Sequence, residues 1–599
     1  MLSIATISLL STLTVTSPTV ENKIEVSQPS PQAITEILPA DTPLVMTVNT
    51  KGEAWAELKR YHLFQVAVDA VSQFLPLTGK FDYTKDVESW LDDKVAFAFL
   101  PKKGSTPATI KSNFLLFAPI KDISRVQPFI DTITSDKKNA KKREYKGFTI
   151  WEIKSSERKI SSVANIKQLT PAPSIELPKA PGINIPVPKL PSPSQVVKDR
   201  VLTFAVIPGY IVAGNSTQPI EQLIDSSSAK VATLAQNPDY QKNREHPQAN
   251  KALLSMYQNP GTFFPLFKDL AKDISNDPEI PIPIPNIDAI TIDVEQFKQI
   301  SSIHSYLNLQ PEGLRFQINS YSQKPISKEV QSLTSNQETI LSKIPGVTYS
   351  AFTGRNLNQQ WQLVVNAFST KKELKDGLEN FRNGVRTTTG LDLDKDILSW
   401  MDGEYALFLY PTKSGFLKTV SPNHNMGLAL AIQTTNRSAA EKALQKLEKL
   451  LKDFGVGAVQ VSNRNLNGKA VTSVDLPGSP SLLAYSWVDE KTLILTSGYG
   501  TMNDPVPQPR TTLASNYNFA KATGTLPRPN QGYFYMNTGS TLSWIYGLLP
   551  SVFNTKEFRP FKEVLGSVHS ISGSSFTAGD QAQTDILFVM APNRSPLKK

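Results

Sequence analysis

Residues 81–101 read FDYTKDVESWLDDKVAFAFLP and residues 391–411 read LDLDKDILSWMDGEYALFLYP. Asp82, Lys85, Asp86, Ser89, Trp90, Asp92, Ala96 and Pro101 match Asp392, Lys395, Asp396, Ser399, Trp400, Asp402, Ala406 and Pro411, all at the single offset of 310. Chance does not align eight residues in this way, and a repeat of this length marks a duplicated supersecondary unit. Weaker echoes keep the same order around it. Leu38-Pro39 precedes LVMTVN as Ile344-Pro345 precedes YSAFTG, and FLLFAPI is echoed by GLALAIQ. Further on, YKGFTIWEI is echoed by LNGKAVTSV, LTFAVIPGYIVAGN by LLAYSWVDEKTLILTSG, and Ser302-Ile303-His304-Ser305 by Ser567-Val568-His569-Ser570. The offset shrinks along the chain because the first copy carries a proline-rich insertion, Pro171 to Pro193.

The pattern within each copy predicts sheet. Val95-Ala96-Phe97-Ala98-Phe99 alternates small with bulky apolar residues, the period of a half-buried strand. Strand candidates come in pairs across short turns, Ile207-Pro208-Gly209-Tyr210 and Val488-Asp489-Glu490-Lys491. Connections that short make antiparallel hairpins, since a parallel crossover needs a dozen residues or more. Helical stretches are read at 53–75 and 437–453, the latter with an apolar stripe of Ala440, Ala443, Leu444, Leu447, Leu450 and Leu451. The fold class expected is α+β, two tandem, internally duplicated units of antiparallel sheet with packed helices. The organisation expected is an export or anchor segment at 1–20, a linker at 21–36, a first repeat unit at 37–325 with the insertion at 171–193, a connection at 326–342, a second unit at 343–592 and a tail at 593–599.

With 599 residues the chain exceeds what one core usually supports, and 40% hydrophobic residues are enough to order most of it. The absence of cysteine removes disulfides, thiolate nucleophiles and sulfur-ligated metals, and suits an exported protein. The first twenty residues, MLSIATISLLSTLTVTSPTV, are apolar and uncharged, which resembles an export segment without its basic flank. A formal net charge of +10 favours anionic surfaces. Its densest run is Lys137, Lys138, Lys141, Lys142, Arg143 and Lys146, read as a solvated loop; the lack of interleaved aromatics counts against nucleic acid. The prolines of 171–193 favour an exposed extended arm.

Material for chemistry is sparse. There is no HExxH, GxSxG, P-loop or GxGxxG pattern. Of the five histidines only His304 and His569 recur between copies, and both are read as hydrogen-bonded strand residues. Asp392, Asp394 and Asp396 alternate like the start of a calcium loop, but Ile397 stands where that loop needs glycine and Gly403 where it needs glutamate. They read better as helix caps, with Asp394 or Asp396, and Asp86 in the first copy, capping a short helix before the tryptophan. Trp90 and Trp400 are expected buried at the joint between that helix and the next strand. Catalytic, cofactor-binding and metal-binding residues are none on this reading; Trp90, Trp400, Asp86, Asp396, His304 and His569 are structural anchors of the repeat.

Leu38-Pro39-Ala40-Asp41-Thr42-Pro43 before a strand, the SWLDD and SWMDG pair, and the length together resemble the cyanobacterial family known as domain of unknown function three-three-five-two, over roughly residues 36–590. The resemblance implies a membrane-anchoring or signal segment and an extracytoplasmic body. It implies no reaction, cofactor or ligand. The function expected is that of a non-enzymatic binding or scaffold protein of the cell envelope or thylakoid lumen, with an anionic membrane surface or an envelope protein as partner. Two other readings stand beside it: a carrier of a hydrophobic ligand such as lipid or pigment, and an enzyme of unrecognised type.

Overall fold

The computed structural model describes residues 33–51, 57–61, 87–102, 109–135, 140–154, 201–229, 231–275, 299–369, 372–415, 417, 425–454, 459–478, 480–542 and 566–592. The export segment, Asp86, Lys137, Lys138, the insertion at 171–193, the tail and most of the helix expected at 53–75 lie outside them. The chain divides into two units, Met1–Trp55 with Val71–His304, and Ala56–Ala70 with Ser305–Lys599. Both are α+β, with antiparallel sheet.

The first unit has eight strands in the order β4-β5-β6-β7-β3-β2-β1-β8. They are β1 (Leu44–Asn49), β2 (Lys94–Phe99), β3 (Phe114–Pro119), β4 (Ala140–Tyr145), β5 (Phe148–Lys154), β6 (Val201–Ile207), β7 (Tyr210–Gly214) and β8 (Leu254–Gln258). Lys146 at φ 48° and Gly147 at φ 86° close β4 onto β5, the positive pair that a two-residue hairpin requires. Lys141, Lys142 and Arg143 therefore belong to a strand, which corrects the loop reading. Their charge suits an edge strand, because it keeps a row of unpaired amides from recruiting another chain. Helices α1 (Val126–Ile133), α2 (Thr217–Ser228), α3 (Pro238–Glu245) and α4 (Pro260–Ser275) complete the unit. Ile220, Leu223 and Ile224 of α2, at helical spacing, enter one core with Ala98, Phe117, Ala205 and Val212 of the sheet.

The chain passes into the second unit within β9 (Ile300–Gln310) and continues through β10 (Gly313–Ser322). Then follow β11 (Ser350–Arg355), α5 (Leu357–Phe368), α6 (Lys372–Thr389), β12 (Glu404–Pro411), β13 (Met426–Gln433) and α7 (Arg437–Phe454). The remainder is β14 (Gln460–Leu466), β15 (Lys469–Asp475), β16 (Leu483–Trp487), β17 (Thr492–Thr496), α8 (Tyr517–Thr523), β18 (Tyr533–Asn537), β19 (Val568–Ala578) and β20 (Gln581–Met590). The order is β14-β15-β16-β17-β13-β12-β11-β18, continued by β19-β20-β10. Its first eight strands pair in the sequence already seen in the first unit. Helix α7 forms where the apolar stripe at 437–453 predicts it, burying Ala440 and Leu444.

The Leu-Pro and Ile-Pro echoes have a physical cause. In each unit a buried leucine N–H, of Leu234 or Leu513, donates to the carbonyl of Leu38 or Ile344 at 2.8 Å. Three residues on from the proline, Thr42 donates to the Pro39 carbonyl at 2.6 Å and Thr348 to that of Pro345 at 2.5 Å. Asn237 and Asn516 reach back to the carbonyls of Ala40 and Gly346, each at 2.9 Å. A buried carbonyl without a partner costs about 1–3 kcal/mol, so threonine and asparagine at this spacing fasten the entry to the first sheet strand of each unit.

Candidate functional site

Trp90 and Trp400 lie at corresponding places, 3% and 4% exposed. Each sits just before a strand, but its packing partner is the helix that follows the next strand. Trp90 lies 5.0 Å from Phe129 of α1, ring centre to ring centre. Trp400 packs with Met401, Tyr405 and Ile432 against Ala440 and Leu444 of α7, and its indole N–H donates to the Asp396 carbonyl at 3.2 Å. The rings thus wedge the sheet against a helix distant in sequence.

The three aspartates before Trp400 are divided among different tasks. The cap of the turn Leu393–Leu398 is Asp392, neither Asp394 nor Asp396: its carboxylate accepts from the N–H groups of Asp394 at 3.1 Å and Lys395 at 3.0 Å. Those amides hold its pKa below the usual carboxylate range, with Arg386 adding to the effect. Asp394 is partly buried, which opposes ionisation, yet Arg382 at 2.8 Å and the Trp361 indole at 2.6 Å outweigh this and hold its pKa low. Asp396 pairs with Lys446 of α7 at 2.6 Å and accepts from the Asp392 N–H at 2.9 Å. With every carboxylate facing its own cation or amide, the trio is a knot joining α5, α6 and α7 to the sheet. Among the described residues no group of three or more His, Asp or Glu is placed to hold a metal ion.

The two echoed histidines part company. His304 is fully buried beside Tyr257, 5.8 Å between ring centres, and burial pushes its pKa down to about 3, with His246 and Lys242 adding to the shift against a backbone hydrogen bond at Asp239. His569 is exposed. Both lie in strands, but their settings differ because the β19–β20 register shifts between Val568 and Ser570, and the bulged residue is His569. A bulge turns one side chain to the other face.

Sequence reasoning missed a buried charged cluster in the second unit. Arg355, at the end of β11, and Glu404, opposite it at the start of β12, are 7% and 5% exposed and 3.7 Å apart. Arg355 donates to the carbonyls of Asn530, at 2.6 Å, and Gln337. Glu404 accepts from the Thr339 hydroxyl at 2.5 Å and the Ile340 N–H at 3.0 Å. Close by, Glu338 takes the Tyr533 hydroxyl at 2.5 Å and Arg528 at 3.0 Å; burial first, then Glu338, pushes the tyrosine pKa up to about 12. These groups spend their charge on one another and on backbone carbonyls, and they clasp residues 337–340 to the sheet. No echo in the sequence could reveal them, because Asn49 and Lys94 hold the same paired positions in the first unit.

The strongest difference between the units is on one sheet face. In the second, the register sets Phe534, Phe352, Leu407, Leu430 and Leu495 in one row across β18, β11, β12, β13 and β17. Phe534, Phe352 and Leu407 are 41%, 50% and 45% exposed. In the first unit Met46 and Phe97 hold the corresponding places in β1 and β2, at 4% and 2%. The helical pair α5 and α6 adds exposed Val364, Phe368 and Phe381. The signal in the sequence was Leu407-Phe408-Leu409-Tyr410, a strand bulky on both faces, unlike the small-and-bulky alternation of Val95 to Phe99.

The family of proteins of unknown function DUF3352 matches residues 2–589. The chain belongs to this family. No curated protein matches it. Among solved structures, crystal form III of TP0453 is similar over 51% of this chain and 85% of that one, at 9% identity and a TM-score of 0.24. Crystal form I of TP0453 is similar at 10% identity and a TM-score of 0.25, over 51% and 84% of the two chains. Among the described residues of this DUF3352 member, no helix is long and apolar enough to cross a membrane.

Proposed function

We propose that this DUF3352 protein is a non-enzymatic binding protein made of two copies of one α+β module, that it works outside the cytoplasm, and that the second copy attaches to an anionic membrane surface. The observation that carries this reading is the open row of Phe352, Leu407 and Phe534, each more than two-fifths exposed. Contiguous apolar surface of this kind marks an interaction site, whereas scattered exposed residues do not. The net charge of +10 adds long-range attraction to anionic headgroups. The shared strand order and the paired Thr42 and Thr348 bonds support duplication. A carrier role needs an apolar cavity closed around its ligand, and side chains that face solvent favour surface contact instead.

The test is sedimentation with vesicles of phosphatidylglycerol and, separately, of phosphatidylcholine. The wild type should pellet with the former, and the double change Phe352→Ser with Leu407→Ser should weaken this by tenfold or more, since each apolar side chain withdrawn from water contributes about 1.5–3 kcal/mol. Circular dichroism would confirm that the variant is folded. A wild type that stays in solution, or a folded variant that pellets equally well, would refute the membrane reading.

A further inference from the structure

A second feature of the same unit is independent of that membrane reading. Beside the β14–β15 hairpin lies an open cleft of about 380 Å3, lined by Lys413, Ser414, Arg464, Pro480, Ser481 and Tyr499 among others. That volume lies within the range of small-molecule sites. We infer that this cleft binds a small organic anion, its carboxylate or phosphate held by Arg464 and its apolar or aromatic body lying against Tyr499 and Pro480.

Arg464 is positioned for the task. Its Nη2 donates to Asp475 at 2.7 Å, and its guanidinium carbon stands 4.6 Å from the centre of the Tyr499 ring. Asp475 is fixed in turn by the hydroxyls of Ser481 at 2.5 Å and Ser473 at 3.2 Å. Nε and Nη1 have no hydrogen-bond partner among the described residues, so a stacked, oriented fork keeps donors for a planar anion. The wall opposite needs glycine, because a Cβ at Gly500 would run into the Ser414 side chain.

The first unit shows what the cleft replaces. Arg143 occupies the matching place: it lies opposite Ile150 and three residues before a turn with two positive φ angles, as Arg464 lies opposite Val471 before Asn467 and Gly468. There, the twelve-residue helix α2 follows β7 and presses against the hairpin, Glu221 pairing with Arg143 and Asp225 with Lys146 at 2.8 Å. In the second unit the segment after β17 is only a five-residue 3-10 turn, Tyr499–Asn503. Glu221 has no counterpart once the helix is gone: Arg464 keeps one carboxylate, Asp475 on the paired strand, and its guanidinium lies over Tyr499 beside the open cleft. The ligand takes the donors of Arg464 that Asp475 leaves unengaged.

Titration calorimetry on the full chain tests this with phenyl phosphate and benzoate as probes, and with phenol and inorganic phosphate as the separated halves. At least one aromatic anion should bind saturably at millimolar concentration, about tenfold more tightly than either half, and the tighter of the two identifies the headgroup. Arg464→Gln should weaken binding about tenfold, Arg464→Lys should restore part of the affinity, and Arg143→Gln should leave it unchanged. The inference is overturned if neither aromatic anion binds saturably, if Arg464→Gln binds like the wild type, or if Arg143→Gln loses as much as Arg464→Gln. The partial rescue by lysine separates lost recognition from lost folding.

Discussion

The two units share a strand order and differ in what lies on it. On the sheet face that carries Met46 and Phe97 the first unit is closed, at 4% and 2% exposure; on the matching face Phe352 and Leu407 are open at 50% and 45%. At the hairpin edge, Arg143 pairs with Glu221 of a helix, while Arg464 pairs with Asp475 beside Tyr499 and an open cleft. The frame is the same because hydrogen bonds demand particular groups at particular spacings: Thr42 and Thr348, Asn237 and Asn516, and the tryptophan wedges all recur. A sheet face demands only apolar bulk, and an edge only a solvated or paired charge, so these can diverge without loss of the fold. The first unit thus closes this face, while the second leaves the matching face open to solvent.

The sharpest way to probe the shared frame is to remove both wedges. Trp90→Ala and Trp400→Ala should each cost about 3–5 kcal/mol, because each leaves a cavity among packed rings. The two losses should add to within about 0.5 kcal/mol, as for sites that share no packing partners. Urea denaturation of both single variants and the double variant measures this. A large loss at one tryptophan and none at the other would break the equivalence of the frames.

The faces should respond unequally. Phe97→Ala, in the closed unit, should cost about 3–5 kcal/mol, and Leu407→Ala, on the open one, less than about 1 kcal/mol. The same urea measurement serves. Equal losses would mean that the second face is as well covered in solution as the first.

The histidines provide the smallest contrast. His304 is neutral in the fold, its pKa lowered by burial to about 3, whereas an unfolded histidine titrates near 6.5. The unfolded chain therefore gains the proton first as the pH falls. Stability from this residue is complete above about pH 6.5 and is lost toward pH 3, at up to about 1.4 kcal/mol per unit, or about 2 kcal/mol by pH 5. His304→Asn should flatten this acid limb in pH-dependent unfolding. An unchanged limb in His304→Asn would show that the buried ring does not set it.

Much of the architecture is legible in the residue order, and the reasons are local. Alternation in Val95 to Phe99, the short turns at Pro208-Gly209 and Asp489-Glu490, and the apolar stripe of 437–453 each depend on neighbours a few residues apart, so residue order alone dictates them. The repeated SW and LP strings located the frame for the same reason. The cap was misassigned by two or four residues because Asp392, Asp394 and Asp396 are all competent caps, and only distant Arg382 and Lys446 decide which of them stay occupied elsewhere.

What tertiary structure alone decided depends on partners far away in the chain. Arg355 and Glu404 become a buried clasp only when residues 337–340 fold back over the sheet, and His569 turns outward only through the β19–β20 register. The open face is likewise a matter of register: Phe534, Phe352 and Leu407 come from three separated strands and form one row only once those strands are paired. Arg143 and Arg464 look alike in the linear chain, and they differ because one lies against a helix bearing Glu221 and the other against Tyr499. Residue order sets periodicity and hydrogen-bonding potential over a few positions, whereas exposure, charge pairing and the opening of a cleft are sums over neighbours that only the packed chain brings together.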